Sequence, residues 1–269
     1  MTLKVGVAGL GTIGLPVARA LHDGGIPGLQ LVGVAAGRAD IAERRLREVS
    51  IAVPVIPIAM IAAEADIIVE CAPVRAFRTI AEAAIEAGCT LVTVSGAGML
   101  EAPDLIERAK QRQARIILVT GALLGLDAVR AAAEGTIHSV RMVSRKPPKS
   151  LRGAPYLTAQ QIDVDTIDRP TRIFEGTARE GARGFPANVN VAAALSLAGI
   201  GPDKTMLEIW ADPALTRNTH SIEVHADSAH FTMSIENIPS AENPATARIT
   251  ALSIIATLRG LTSTLRVGT

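Results

Sequence analysis

Gly9, Gly11 and Gly14 stand in the spacing G-x-G-x-x-G, with Thr12 and Ile13 filling the positions before the last glycine. An apolar, strand-like run precedes them, helical spacing follows, and Pro16 is compatible with a first helical turn. In that context each glycine has a task. The first permits a tight turn, the second lets the backbone approach a pyrophosphate, and the third allows close helix–strand packing. Free amides at the helix start face an anion, so Gly9, Gly11, Thr12, Ile13 and Gly14 are expected to hold a dinucleotide. A tight turn without ligand is the competing reading.

Such sites carry an acid roughly 20 residues on, where it holds the ribose 2′-hydroxyl. Here the end of the second strand reads Ala35-Ala36-Gly37-Arg38, and that acid is missing. Arg38 is therefore expected to meet a 2′-phosphate, so that NADP is accepted at least as well as NAD. Asp40 argues the other way, and a solvated surface arginine is the alternative. Ala72, Ala122 and Leu124 follow strand-like runs, as does Ser95-Gly96-Ala97-Gly98. Open α/β sheets bind ligands beyond the carboxyl ends of their strands, which puts Ala72, Ala122 and Leu124 at the cofactor.

The elements that position these groups alternate. Val/Ile-rich runs at Lys4–Gly9, Leu29–Ala36, Asp66–Ala72, Thr90–Ser95 and Ile116–Thr120 are separated by Ala-rich helical segments. That is the pattern of βαβ units feeding a Rossmann-type, doubly wound parallel sheet. Beyond Asp127 the texture changes to the strands of a mixed sheet, at Ile137–Arg145, Thr171–Glu175, Lys204–Ala211, Thr219–Ala226 and Ala229–Ile235. The proline-rich stretch from Lys146 to Pro155 is expected to be a loop beside that second, α+β domain. Asn243-Pro244 predicts a helix start, cap and first residue, with helical spacing through Leu261. Either Asn188 or Asn190 is expected to cap the Ala-rich helix that follows them. The chain is thus divided into a dinucleotide-binding domain (1–124), a catalytic and dimerisation domain (125–242) and a C-terminal helix (243–269) packing back near the first.

Composition narrows the function class. The chain has 269 residues, 48% hydrophobic and 20% charged, enough to bury an ordinary core. The 27 basic and 26 acidic residues leave a charge of +1 without a long single-sign run, which speaks against nucleic acid as a partner. Cys71 and Cys89 lie in apolar segments without metal-ligand spacing, so buried thiols and no metal are expected. No apolar run approaches the ~20 residues of a membrane span, and no signal peptide precedes the first strand, so the expectation is a cytoplasmic protein without a membrane partner.

The run Gly184-Phe185-Pro186-Ala187-Asn188-Val189-Asn190-Val191-Ala192-Ala193-Ala194 resembles the most distinctive segment of the L-aspartate dehydrogenase family. The resemblance continues through Ala211-Asp212-Pro213, Arg217-Asn218-Thr219-His220, Glu236-Asn237-Ile238-Pro239-Ser240, Glu242-Asn243-Pro244 and Thr250-Ala251-Leu252-Ser253. Upstream it takes in Arg145-Lys146-Pro147-Pro148 and the run from Gly121 to Asp127, so it spans nearly the whole chain. Leu124, where a smaller residue is expected, and Asp227-Ser228-Ala229-His230, in place of a more glycine-rich turn, depart from the pattern.

The resemblance implies NAD- or NADP-dependent oxidative deamination of L-aspartate in a homodimer, with the active site between the domains. Hydride passes from Cα to nicotinamide, and iminoaspartate either hydrolyses to oxaloacetate and ammonia or serves pyridine nucleotide biosynthesis. It implies His220 as the catalytic histidine, whose unperturbed pKa near 6.5 suits proton transfer. Asn190 is implied at the nicotinamide carboxamide. Two substrate carboxylates need cations or amides, for which Lys146, Arg217, Asn188 and Asn218 are the candidates; Lys146 and Arg217 have surface charges as their alternative. His138, His225 and His230 are read as surface or strand residues. Two other functions compete: a dihydrodipicolinate-reductase-like dehydrogenase of another small dicarboxylate, and a non-catalytic NADP-binding sensor.

Overall fold

Runs that are apolar at nearly every position become the strands β1 (Leu3–Ala8), β2 (Leu29–Ala35), β3 (Ile67–Glu70), β4 (Thr90–Thr93) and β5 (Arg115–Leu118). They pair in parallel in the order β2-β1-β3-β4-β5. All of β3 is buried, the signature of a strand covered on both faces. The connecting helices are α1 (Gly14–His22), α2 (Ala39–Glu48), α3 (Ile58–Ala62), α4 (Val74–Glu86), α5 (Gly96–Glu101) and α6 (Asp104–Gln111). This is the expected doubly wound, Rossmann-type sheet. β3 and β4 end sooner than expected: Cys71 N–H still donates to Ala8 O of β1, but Ala72 N–H turns to the Glu70 carboxylate and Ser95 N–H to Thr93 Oγ1.

The computed structural model describes Thr2–Gly268. By its contacts the chain forms two units, one running to Val119 and including Thr250–Arg266, the other Thr120–Ile249. Within the first, Ile254 and Leu258 of α11 (Arg248–Thr262) are fully buried in one apolar cluster with Val5, Val7, Val17 and Val69. Each such side chain contributes about 1.5–3 kcal/mol by leaving water. Arg259 and Thr262 fix the same helix by donating to the carbonyls of Gly25 and Pro27.

The second unit carries α7 (Leu126–Ala133), β6 (Ile137–Lys146), α8 (Pro155–Ala159), β7 (Thr171–Thr177), α9 (Ala178–Gly184), α10 (Asn190–Ala198), β8 (Thr205–Ala211), β9 (Thr219–Ala226) and β10 (His230–Glu236). Its mixed sheet has the order β10-β9-β6-β8-β7, with only β6 and β8 parallel. Along β6, β8 and β9 one face is buried: Val140 and Met142, Leu207 and Ile209, Ile222 and Val224. The alternate residues form the other face, where Ser139, Arg141, Met206 and His225 are exposed.

Three local expectations are corrected. The stretch after Lys146 is not simply a loop: Lys146 ends β6, Pro148–Leu151 form a 3-10 turn and Pro155 opens α8, both prolines standing at a helix start that needs no N–H. Asn243 and Pro244 do not start the last helix, which begins at Arg248; Asn243 Oδ1 instead accepts from Ala245 N–H, and Ser240 N–H donates to Thr246 O, closing a turn first. Neither Asn188 nor Asn190 caps α10 through its side chain. Val189 is the cap residue and Asn190 the first helical one, with Asn188 in the preceding turn, its N–H donating to Phe185 O.

Candidate active site

In the first unit the glycine turn has the shape its spacing requires. Gly9 has φ +93°, and a Cβ there would lie 2.7 Å from the Cys71 carbonyl; one on Gly14 would meet Gly9 O at 1.9 Å. Both positions exclude side chains for packing reasons. Gly11 is different: a Cβ there would meet nothing within 4 Å, so its lack of a side chain leaves open room over the turn. Ile13, the cap residue of α1, offers no capping side chain, and Thr12 and Ile13 are half-buried. Uncapped amides beside open space fit a pyrophosphate. Arg38 is exposed at the cap position of α2, and Asp40 is exposed in its first turn.

Two supports of this turn escaped the sequence reading. Arg45 Nη1 donates to Leu10 O at 3.0 Å, tying α2 to the glycine turn. Glu70, fully buried, accepts from Ala72 N–H at 2.9 Å and from the Thr93 hydroxyl at 2.6 Å, which orders the loops after β3 and β4. Burial raises the Glu70 pKa against the lowering by those bonds. The one signal for it was an acid inside an otherwise apolar strand. Ala72 is half-buried in that loop, as is Cys71, a free thiol less buried than its apolar neighbours suggested.

In the second unit, strand register assembles the reactive groups. Ser144 of β6 lies directly opposite His220 of β9, and Lys146 lies two positions further along the same buried face. Ser144 Oγ and His220 Nδ1 are 3.1 Å apart. His220 is 2% exposed and Lys146 4%, so Lys146 is not the surface charge of its alternative reading. Burial lowers the Lys146 pKa to about 8. Burial, then the nearby Lys146 charge, lowers the His220 pKa to about 3, so the imidazole is neutral across the physiological range. Ser144 gave no signal in the sequence beyond its place in an alternating strand.

Asn237 lies within the run Glu236-Asn237-Ile238-Pro239-Ser240. It is 3% exposed; its N–H donates to Asn218 O at 2.8 Å and its Nδ2 to Ala122 O at 3.0 Å, joining two predicted site segments. Its Oδ1 is buried with no hydrogen-bond partner among the described residues. An orphan acceptor costs about 1–3 kcal/mol, which a ligand N–H would recover. Asn218, Ala122 and Leu124 are half-buried. Arg217 is exposed, 3.8 Å from the Glu236 carboxylate, a pair that leaves its guanidinium available. Asn190 and Asn188 are half-buried at the head of α10. A groove of about 740 Å³ lines the other face of this sheet, with His138, Arg141 and Glu223 in its wall, and does not include His220.

Residues 127–261 match the family described as aspartate dehydrogenase, C-terminal, and residues 9–119 match the homoserine dehydrogenase NAD-binding domain. The chain is 54% identical over 267 residues to an L-aspartate dehydrogenase of Bradyrhizobium diazoefficiens, covering 99% of this chain and 94% of that protein. It is 49% identical to L-aspartate dehydrogenase 3 of Bordetella bronchiseptica, covering 99% and 98%. The crystal structure of aspartate dehydrogenase from Thermotoga maritima shares the fold with a TM-score of 0.76 at 24% identity, over all of both chains. A nicotinamide-dinucleotide-binding domain followed by this C-terminal domain, with relatives alike from end to end, establishes that the chain belongs to the L-aspartate dehydrogenase family.

Proposed function

We propose that the protein oxidises L-aspartate in an NAD(P)-dependent reaction. The substrate gives up a hydride from Cα and a proton from its amine to become iminoaspartate, which water converts to oxaloacetate and ammonia. The nicotinamide supplies the hydride acceptor. The relatives favour this over the reductase-like and sensor readings.

The observation that carries the mechanism is the buried pair of His220 and Lys146. Held at Nδ1 by Ser144, His220 acts as base in the tautomer whose Nδ1–H donates to Ser144 Oγ, leaving the Nε2 lone pair for the amine proton. Burial, and then the Lys146 charge, opposes an imidazolium. A substrate carboxylate meeting Lys146 offsets the second of these, which raises the basicity of His220 when the substrate arrives. Once that proton has passed to solvent, the same nitrogen serves to activate water for attack on the imine. Arg217, Asn218 and Asn188 complete carboxylate binding. Asn237 Oδ1 takes a ligand N–H, and Asn190 holds the carboxamide.

Among the first unit's residues, the amides of Gly9, Gly11, Thr12, Ile13 and Gly14 would hold the pyrophosphate and Arg38 a 2′-phosphate, so NADP is used at least as well as NAD. Ala72, Ala122 and Leu124 would contact the nicotinamide. The reading extends to a cytoplasmic homodimer, dimerised through residues 125–242, whose iminoaspartate feeds pyridine nucleotide biosynthesis. No helix of the described residues is long and apolar enough to cross a membrane.

The test is formation of reduced NAD or NADP by the purified full chain with L-aspartate, against D-aspartate, L-glutamate and L-alanine, with ammonia measured alongside. L-aspartate-dependent reduction with matching ammonia release is expected. Faster turnover of a heterocyclic dicarboxylate, or cofactor binding without turnover, would overturn the reading.

A further inference from the structure

Glu223, His225 and His230 meet on the open face of the second sheet, away from the buried face of His220. Strands β9 and β10 are antiparallel, and His230 lies directly opposite His225. Glu223 precedes His225 by two positions, so all three side chains leave the same face of a two-stranded ribbon. The two imidazoles stack with centroids 3.8 Å apart and planes at 22°. Glu223 Oε1 stands 3.1 Å from His225 Nε2 and 3.6 Å from His230 Nε2.

We propose that these three residues form a binding site for a divalent transition-metal ion, with zinc as the ion it takes. The donor atoms lie within 4.8 Å of one another. Tetrahedral zinc with bonds of about 2.0–2.1 Å separates its ligand atoms by roughly 3.3 Å, a separation that Glu223 Oε1 already keeps to within a few tenths of an ångström from each imidazole nitrogen, and the stacked rings turn to face the ion. Two imidazoles and one carboxylate are a donor set that suits zinc and its neighbours and does not suit calcium or magnesium. Three protein ligands leave a fourth position for water, which the exposure of all three side chains makes accessible.

The scaffold is held in place without the ion. β9 is flanked by β6 and β10 along its length, and Ala226 N–H donates to Ala229 O where the ribbon turns. Asp227, in that turn, accepts from Thr136 N–H at 3.0 Å. Ligands on paired strands keep their spacing better than ligands on loops. The ion therefore cross-links the turn end of β9 and β10, while His220 sits near the opposite end of β9.

The full chain, with any affinity tag removed and stripped by chelator, is titrated with zinc by calorimetry and with cobalt by visible absorption. One ion per chain is expected, with the absorption of tetrahedral cobalt and a rise of a few degrees in the unfolding midpoint. His230→Gln and Glu223→Gln, each checked for native circular dichroism, are expected to weaken binding at least ~10-fold, since even partners of the ligands contribute about that much. Absence of stoichiometric binding, or binding that survives both substitutions unchanged, overturns the site.

Discussion

His220 and His225 belong to one strand, an odd number of positions apart, and strand alternation gives them opposite surroundings. His220 is buried beside a buried lysine, with Ser144 on its Nδ1; His225, exposed, stacks on His230. The faces differ in the same way among their cations. Lys146 is buried, whereas Arg141 and Arg172 lie exposed against Glu208 and Glu175, and Arg145 is half-buried over Trp210. On the buried face, desolvation lowers the pKa of both His220 and Lys146.

Removing the imidazole from the buried face is the strongest way to break this contrast. His220→Ala is expected to lower kcat by about 10²–10⁴-fold, the span of general acid–base catalysis. Cofactor affinity, measured by quenching or calorimetry, stays where it was. His138→Ala, on the exposed side of the second sheet, is expected to change kcat by less than about two-fold, as surface substitutions do. Equal losses in both variants would remove burial as the distinction.

Lys146→Met tests the cation with little change of volume. It is expected to raise the KM for L-aspartate by about 10²-fold, because a buried carboxylate loses its partner. The folded chain becomes no less stable, since an apolar side chain replaces a buried charge. The imidazole of His220, freed of its neighbour, titrates at higher pH by NMR. A drop in kcat at unchanged KM would instead make Lys146 part of the chemical step.

Much of this was legible before the fold. The G-x-G-x-x-G turn after a strand announces itself because packing and backbone conformation demand glycine at Gly9 and Gly14 whatever the rest of the chain does. Strand alternation placed β6 to β10 to within a residue or two, as hydrophobic patterning reports which face is buried. Partnerships were not legible. Nothing in a linear pattern tells that Ser144 faces His220, which is a matter of register between strands distant in sequence. Nor could it tell that Lys146, followed by two prolines, is buried at a strand end. Glu70 and Asn237 were hidden for the same reason, their hydrogen bonds running between separate segments. Helix ends misled for a local reason: Asn243-Pro244 suits a turn as well as a cap, and the turn won.

The pH dependence of ligand binding sharpens the comparison further. Succinate, a dicarboxylate without an amine, should inhibit with a constant that weakens up to tenfold per pH unit above about 8, as Lys146 loses its proton. Lys146→Arg should move that limb beyond the measurable range. Stability runs with its own sign. The folded pKa of His220, about 3, lies below its ordinary 6.5, so between these values the unfolded chain binds the extra proton and stability falls as pH falls. The slope is at most about 1.4 kcal/mol per pH unit for this group, and His220→Gln should flatten it in urea titrations from pH 6.5 downward.

The smallest expected effect concerns Ser144. Ser144→Ala leaves a buried Nδ1 without its partner, at a cost of about 1 kcal/mol, and frees the ring to adopt either tautomer. The expected loss in kcat is about five-fold, with the KM for L-aspartate unchanged, because Lys146 and not His220 meets the carboxylate. Nitrogen NMR of the labelled imidazole should show the proton shared between Nδ1 and Nε2 in the variant and confined to Nδ1 in the parent. A serine that merely fills space would lower stability without moving that proton. The tautomer signal therefore separates positioning from packing, and an unchanged spectrum beside an unchanged kcat would leave His220 oriented by burial alone.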